Sequence, residues 1–150
     1  MVEGVADRRG NVLSEDRAAF SYFVPERPVP RDVVVTEIMY APPSASTEFV
    51  ELYNRSDKTI DLGTLRIADE DRDFTSFAPP LTPLVPDERV VLVRDPSAFN
   101  TAFPEVANRT PDSWNALNNG GDTVILRHAP SATDLDTVPY EPSWGGRNGR

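Results

Sequence analysis

EFVELYN, residues Glu48–Asn54, alternates in side-chain direction: Val50 and Leu52 point one way, Phe49, Glu51 and Tyr53 the other. A period of two is the signature of a strand with two unlike faces. The same texture recurs on both sides of it. Upstream, VVVTEIMY (Val33–Tyr40) is a β-rich run ended by Pro42-Pro43, because proline has no N–H to give a ladder. Downstream, Arg55–Lys58 is a polar turn, and Thr59–Leu62 and Leu65–Ala68 are short strands flanking Gly63-Thr64. An acidic turn, Asp69–Asp73, leads into Phe74–Phe77. Pro79, Pro80, Pro83 and Pro86 then break up a long connection, and Asp87-Glu88 turns into RVVLVR, Arg89–Arg94. Four successive apolar residues, Val90 to Val93, predict a strand buried on both faces.

Asp95 followed by Pro96 predicts an N-cap and a first helical residue. The short helix expected over Pro96–Phe103 places Phe99 and Phe103 on one face. Asn118-Asn119-Gly120-Gly121 is the strongest turn signal, with the strand DTVILRH (Asp122–His128) after it and a last strand at Asp136–Tyr140. Many short strands at close spacing and one short helix make an antiparallel sandwich or barrel.

Composition narrows the function classes. A chain of 150 residues is one-domain length, and fifteen prolines favour turns over long helices. With no cysteine, thiolate metal sites, cysteine nucleophiles and disulfides are excluded. No apolar stretch approaches the roughly 18 residues that span a bilayer. The opening MVEGVADRRGNV lacks a signal-peptide core, so an exported protein would carry this chain as part of something longer. Residues 1–32 hold six acids and five bases, leaving 18 acids and 10 bases for 33–150, a balance of −8 out of −9. That acidity argues against binding a phosphate backbone.

Near the N-terminus, Asn11–Leu13 and Ala19–Val24 read as extended segments, with turn chemistry at Arg9-Gly10-Asn11. PERPVPRD, residues 25–32, holds three prolines in eight residues and is expected to be a stiff linker at a domain boundary. The polar end, residues 141–150, is expected to be a flexible tail.

Taken together, TEIMYAPP, EFVELYNRSDKTIDL, RVVLVRDPSAF, LNNGGDTVIL and DTVPY resemble the lamin-tail domain, from about Val33 to about Tyr140. The resemblance implies an all-β, immunoglobulin-like antiparallel β-sandwich with one short helix. The family often carries a Gly-Trp pair after the Asp-Leu step; here Asp61-Leu62 is followed by Gly63, Thr64 and Leu65, and Leu65 is expected to fill the tryptophan's place. Residues 2–24 resemble the last two strands of a bacterial Ig-like domain; the rival expectation is an extra edge strand on the sandwich itself.

Several residues invite chemistry. Glu37 and Glu51, on neighbouring strands, have the makings of a carboxylate pair for glycoside hydrolysis, but no third group in the sequence tunes either. His128, the sole histidine, has no partner nitrogens or thiolates and reads as a surface strand residue. Ser113, Ser131 and Ser143 sit in no nucleophile elbow. Asp69, Asp71 and Asp73 have the 1-3-5 spacing of a calcium loop, yet Phe74 and Pro80 stand where an EF-hand needs glycine and glutamate. A looser calcium site at these three residues, or a solvated acidic turn, remains. Trp114, Trp144, Tyr40 and Tyr53 are either core or an aromatic face for sugar, with Trp144 the more exposed tryptophan.

The lamin-tail resemblance implies a non-catalytic binding or spacer module of a larger exported protein, outside the cell or on its surface. Its expected partners are other domains of that protein, another protein, or a surface. A calcium-dependent adhesive or carbohydrate-binding module is the alternative, and nucleic-acid binding stands last.

Overall fold

A computed structural model describes residues 8–11, 22–42, 46–114 and 116–144. Among the described residues nine strands and one α-helix follow in order: β1 Val33–Met39, β2 Phe49–Asn54, β3 Ile60–Asp61, β4 Leu65–Ala68, β5 Pro83–Leu84, β6 Arg89–Val93, α1 Pro96–Ala102, β7 Asn108–Arg109, β8 Asp122–His128 and β9 Thr133–Tyr140. They form a four-stranded sheet β1-β2-β6-β7, a three-stranded sheet β4-β8-β9 and the small pair β3-β5. Every pairing is antiparallel except that of β6 with β7. This is the immunoglobulin-like β-sandwich expected.

The alternation in β2 decides what faces the core. Val50 lies opposite Leu92 and Leu52 opposite Val90, and all four join one buried cluster with Leu65, Ile67, Val124, Leu126 and Leu135 from the other sheet. The reverse face of β2 and β6 is not solvated throughout. Phe49 pairs with Val93, and with Val91 and Phe99 of α1 they form a second apolar cluster. The Phe49 and Phe99 rings meet edge to face at 5.6 Å, a favoured aromatic geometry. Val90–Val93 is thus buried on both faces because a core lies under one and α1 over the other. The helix begins as expected: the Asp95 carboxylate accepts from Ser97 N and Ala98 N, with Pro96 in the first turn. It ends one residue earlier than expected, with Phe103 as the C-cap.

Other boundaries moved for physical reasons. The strand expected over Thr59–Leu62 keeps only Ile60–Asp61; Leu62–Thr64 winds into a 3-10 turn because the Asp61 side chain caps it by accepting from Gly63 N. Phe74–Phe77 forms no strand, and only Thr75 bridges to Ile67. The proline-broken connection hides β5, with Asp61 opposite Pro83, a residue the edge pair tolerates. The last strand starts at Thr133, with a bulge after Asp134. Leu65, the residue after Gly63-Thr64, is fully buried in the core.

Residues 25–32 stay out of the ladders, as their prolines require, yet they are tied to the sandwich. Glu26 N donates to Thr59 O at 2.9 Å, and Arg31 N to Leu135 O at 2.8 Å. The Arg31 guanidinium meets Asp136 at 2.9 Å and Lys58 meets Asp32 at 2.7 Å. Pro28 is buried. Tyr22–Val24 belong to no strand, and Tyr22 and Val24 are exposed; the rest of Ala19–Val24, like Val12 and Leu13, lies outside the described residues. In the expected tail, residues 142–144 close one 3-10 turn and Pro142 O accepts from the Tyr40 hydroxyl at 3.3 Å; residues 145–150 lie outside the described residues.

Candidate functional site

Glu37 and Glu51 are cross-strand neighbours on β1 and β2. Glu37 is exposed and Glu51 half-buried. Glu51 accepts from the Thr36 hydroxyl at 2.6 Å and pairs with Arg89 at 3.4 Å. Arg89 in turn lies over the Tyr53 ring at 4.4 Å. The Tyr53 hydroxyl donates to Asp87, and that bond, with partial burial and the Asp87 charge, raises its pKa above the ordinary value. The result is an open face on which Arg89 pairs with one of two adjacent acids, Glu51, rather than a cleft that encloses a substrate.

His128 corrects the sequence reading, because it is buried rather than a surface residue. The 3-10 turn over Ala129–Ser131 folds back so that the Ser131 hydroxyl sits 2.6 Å from Nδ1. Burial, then the charge of Arg27, lowers its pKa. Among the described residues no carboxylate hydrogen-bonds the ring, so the pair lacks the orienting acid of a triad. Ser113 donates its backbone N–H to Thr75 Oγ1, and the Ser143 hydroxyl makes a local contact with Glu141.

Asp69, Asp71 and Asp73 make a turn. Asp69 Oδ1 accepts from Asp71 N at 3.0 Å, and Asp69 O accepts from Arg72 N while Arg72 takes a positive φ of 64°. The turn sends the Arg72 guanidinium away, to Asp134 at 2.7 Å. Asp134 also holds Arg127 at 2.6 Å; that bond is the main reason its pKa falls below the usual carboxylate value. Phe74 stacks under Arg127 at 4.0 Å. Among the described residues no three acid or histidine side chains gather as a group that could hold a metal. Asp69 and Asp73 line a cleft that Asp71 does not.

That cleft opens at one end of the sandwich. Val50, Ile67, Leu117 and Val124 form its floor, and Trp114 forms one wall. The aromatics named in the sequence do not form one face. Tyr40 is buried, stacked on Tyr140 at 4.8 Å; Tyr53 lies under Arg89; Trp114 is half-buried against the core; Trp144 is exposed, as expected.

The polar groups that matter most to the fold were missed. Glu48 sits where the sheet meets the loop after β7. Its Oε2 accepts from Trp114 Nε1 at 2.8 Å and Leu117 N at 3.2 Å, and its Oε1 meets Arg94 at 3.3 Å. Asp61 takes Gly63 N, Leu81 N and Thr82 N, each within 3.0 Å. Asn54 donates to Lys58 O and Leu84 O and accepts from Ser56. Asp122 holds Asn118 across the tight turn, and Asp136 holds Val35 N and Arg31, joining β9 to β1. Each is buried. For Glu48, Asp61 and Asp122 the signal was present: each stands at a strand end beside a proline- or asparagine-rich connection whose backbone N–H groups need acceptors, whereas Asp136 lies inside β9.

A two-layer immunoglobulin-like sandwich whose buried acids serve its own loops is a structural module. The lamin tail domain model matches residues 26–142, and the chain belongs to that family. The match takes in most of the proline-rich strap as well as the stretch from Val33 to Tyr140. A search of curated proteins found no match.

Proposed function

We propose that this chain is a non-catalytic, metal-independent binding or spacer module of a larger exported multidomain protein. It makes contacts with protein or a surface outside the cell. Residues 1–24 are then the end of an upstream Ig-like domain, delivered to the sandwich through the strap at 25–32. The observation that carries the reading is the use of the buried carboxylates. Glu48, Asp61, Asp122 and Asp136 are each taken up by donors of the chain itself, which leaves none poised for a substrate or cation. A buried acid satisfied by fixed N–H groups stabilises loop geometry and has little to offer a reacting atom.

The competing calcium-dependent adhesive reading needs a site at Asp69, Asp71 and Asp73. A ligand bound only by the folded state raises the melting temperature by mass action. Thermal melts in calcium and in chelator are expected to coincide. A clear rise with calcium, lost in Asp71→Asn, would replace the metal-independent reading with the adhesive one.

A further inference from the structure

β1 and β9 belong to different sheets, yet they are joined along a seam. Arg31 N donates to Leu135 O at 2.8 Å, and Val35 N to Asp136 Oδ2 at 2.9 Å. Farther along, the Tyr40 ring stacks on Tyr140 at 4.8 Å and its hydroxyl donates to Pro142 O at 3.3 Å. Partner numbers rise together on both sides, so the two strands run in the same direction. Asp136 is buried and its other oxygen holds the Arg31 guanidinium at 2.9 Å, so water competes poorly for that carboxylate. Val33, Tyr40, Leu135 and Tyr140 share one core, and sliding β1 past β9 would uncover apolar surface as well.

This geometry fixes how a pull on the two ends is felt. The chain enters β1 at Val33 and leaves β9 at Tyr140, at opposite ends of the seam. Tension then drives the strands past each other along their axes and loads the bonds of the seam together. Opening the seam from one end would instead break them one after another. The strap adds an anchor on the entry side, through Glu26 N to Thr59 O at 2.9 Å and Lys58 to Asp32 at 2.7 Å.

We propose that the seam between β1 and β9 is a shear clamp, and that the sandwich is a load-bearing link in the protein that carries it. This rests on the spacer reading and adds what the spacer withstands. Resistance to forced unfolding is set by the unfolding rate, not by equilibrium stability, so the direction of pull changes it while the fold stays the same.

The test is single-molecule force spectroscopy on the full chain in two geometries. The sequence has no cysteine, so an added cysteine carries a handle at one known point. One handle is fixed ahead of Met1 in both cases. The other is fixed after Arg150, or at exposed Ala129 through Ala129→Cys, just before β9 and so at the end of the seam where the strap arrives. End-to-end pulling is expected to need about twofold or more the force of pulling through position 129, at equal loading rate. Urea midpoints of the two proteins check that their stabilities match. Asp136→Asn keeps an oxygen for Val35 N and weakens the pair with Arg31, and it should lower the end-to-end force more than the other. The comparison of geometries leaves the seam unaltered, so it decides even where Asp136→Asn does not fold. Equal forces in the two geometries, or an end-to-end force unchanged by Asp136→Asn, overturn the proposal. Either failure leaves the non-catalytic module intact, since that reading is tested by turnover and not by force.

Discussion

Glu48→Ala is expected to lower the unfolding free energy by about 3 kcal/mol, mostly by orphaning buried donors. The carboxylate binds Trp114 Nε1 and Leu117 N through one oxygen and Arg94 through the other. Arg94 is half-exposed and loses little, because a solvated guanidinium finds water instead. The Leu117 N–H is buried and has no such recourse. Each orphaned buried donor costs about 1–3 kcal/mol, and the side-chain void adds to that. The loss is also local, since this carboxylate is what pins the loop after β7 across the end of the sandwich. Urea denaturation should show it as a lower midpoint. Glu48→Gln, which keeps one acceptor, should fall in between. A loss under about 1 kcal/mol would mean that the loop holds itself without Glu48.

Gly63→Ala should be at least as damaging, for steric reasons rather than conformational ones. A Cβ on residue 63 would lie 2.5 Å from Pro80 Cα, 2.6 Å from Pro79 O and 2.7 Å from Pro80 N. All three are backbone atoms, so no rotamer change relieves the clash. The 79–82 loop cannot simply retreat. Asp61 holds Leu81 N and Thr82 N, and Leu62 N donates to Thr82 O at 2.9 Å. Separating them breaks that set, and the expected cost is about 3 kcal/mol or more, at the upper end for overpacking. Gly120→Ala is the matched control: its Cβ would meet nothing within 4 Å. Gly120→Ala should change stability by less than about 0.5 kcal/mol, as for a surface substitution. Equal effects of the two substitutions in thermal melts would show that the loop yields freely.

These two residues also show what the sequence could and could not reveal. Alternation in Glu48–Asn54 and the apolar run Val90–Val93 were enough for the sheets, because burial on one or two faces writes itself directly into side-chain order. Asp95-Pro96 was enough for the helix, because capping is local. β5 and β7 were not legible. Each has two residues, and each exists through tertiary contact rather than propensity: Leu84 opposite Ile60, Asn108 opposite Val91. The same limit hid the polar wiring. Asp61 reaches residues 20 positions away, and Glu48 reaches residues 66 and 69 positions away, so no window of sequence contains both partners. Glu37 and Glu51 were placed on neighbouring strands, and the register sets them opposite each other. What the sequence could not convey is that their face is open and that Arg89 and Thr36 already occupy Glu51. His128 was misread because the strand-end position suggested solvent, whereas the alternation of β8 puts it on the buried face with Val124 and Leu126.

The measurement that tests the central claim most directly is turnover by the purified chain of ester, phosphate and glycoside substrates, beside Glu37→Gln and Glu51→Gln. The acids of this sandwich are held to be structural or solvated. The expected result is no turnover above the uncatalysed rate in any of the three proteins. Activity in the parent chain that disappears on replacing Glu37 or Glu51 would contradict it, and would make that open face of β1 and β2 an active site.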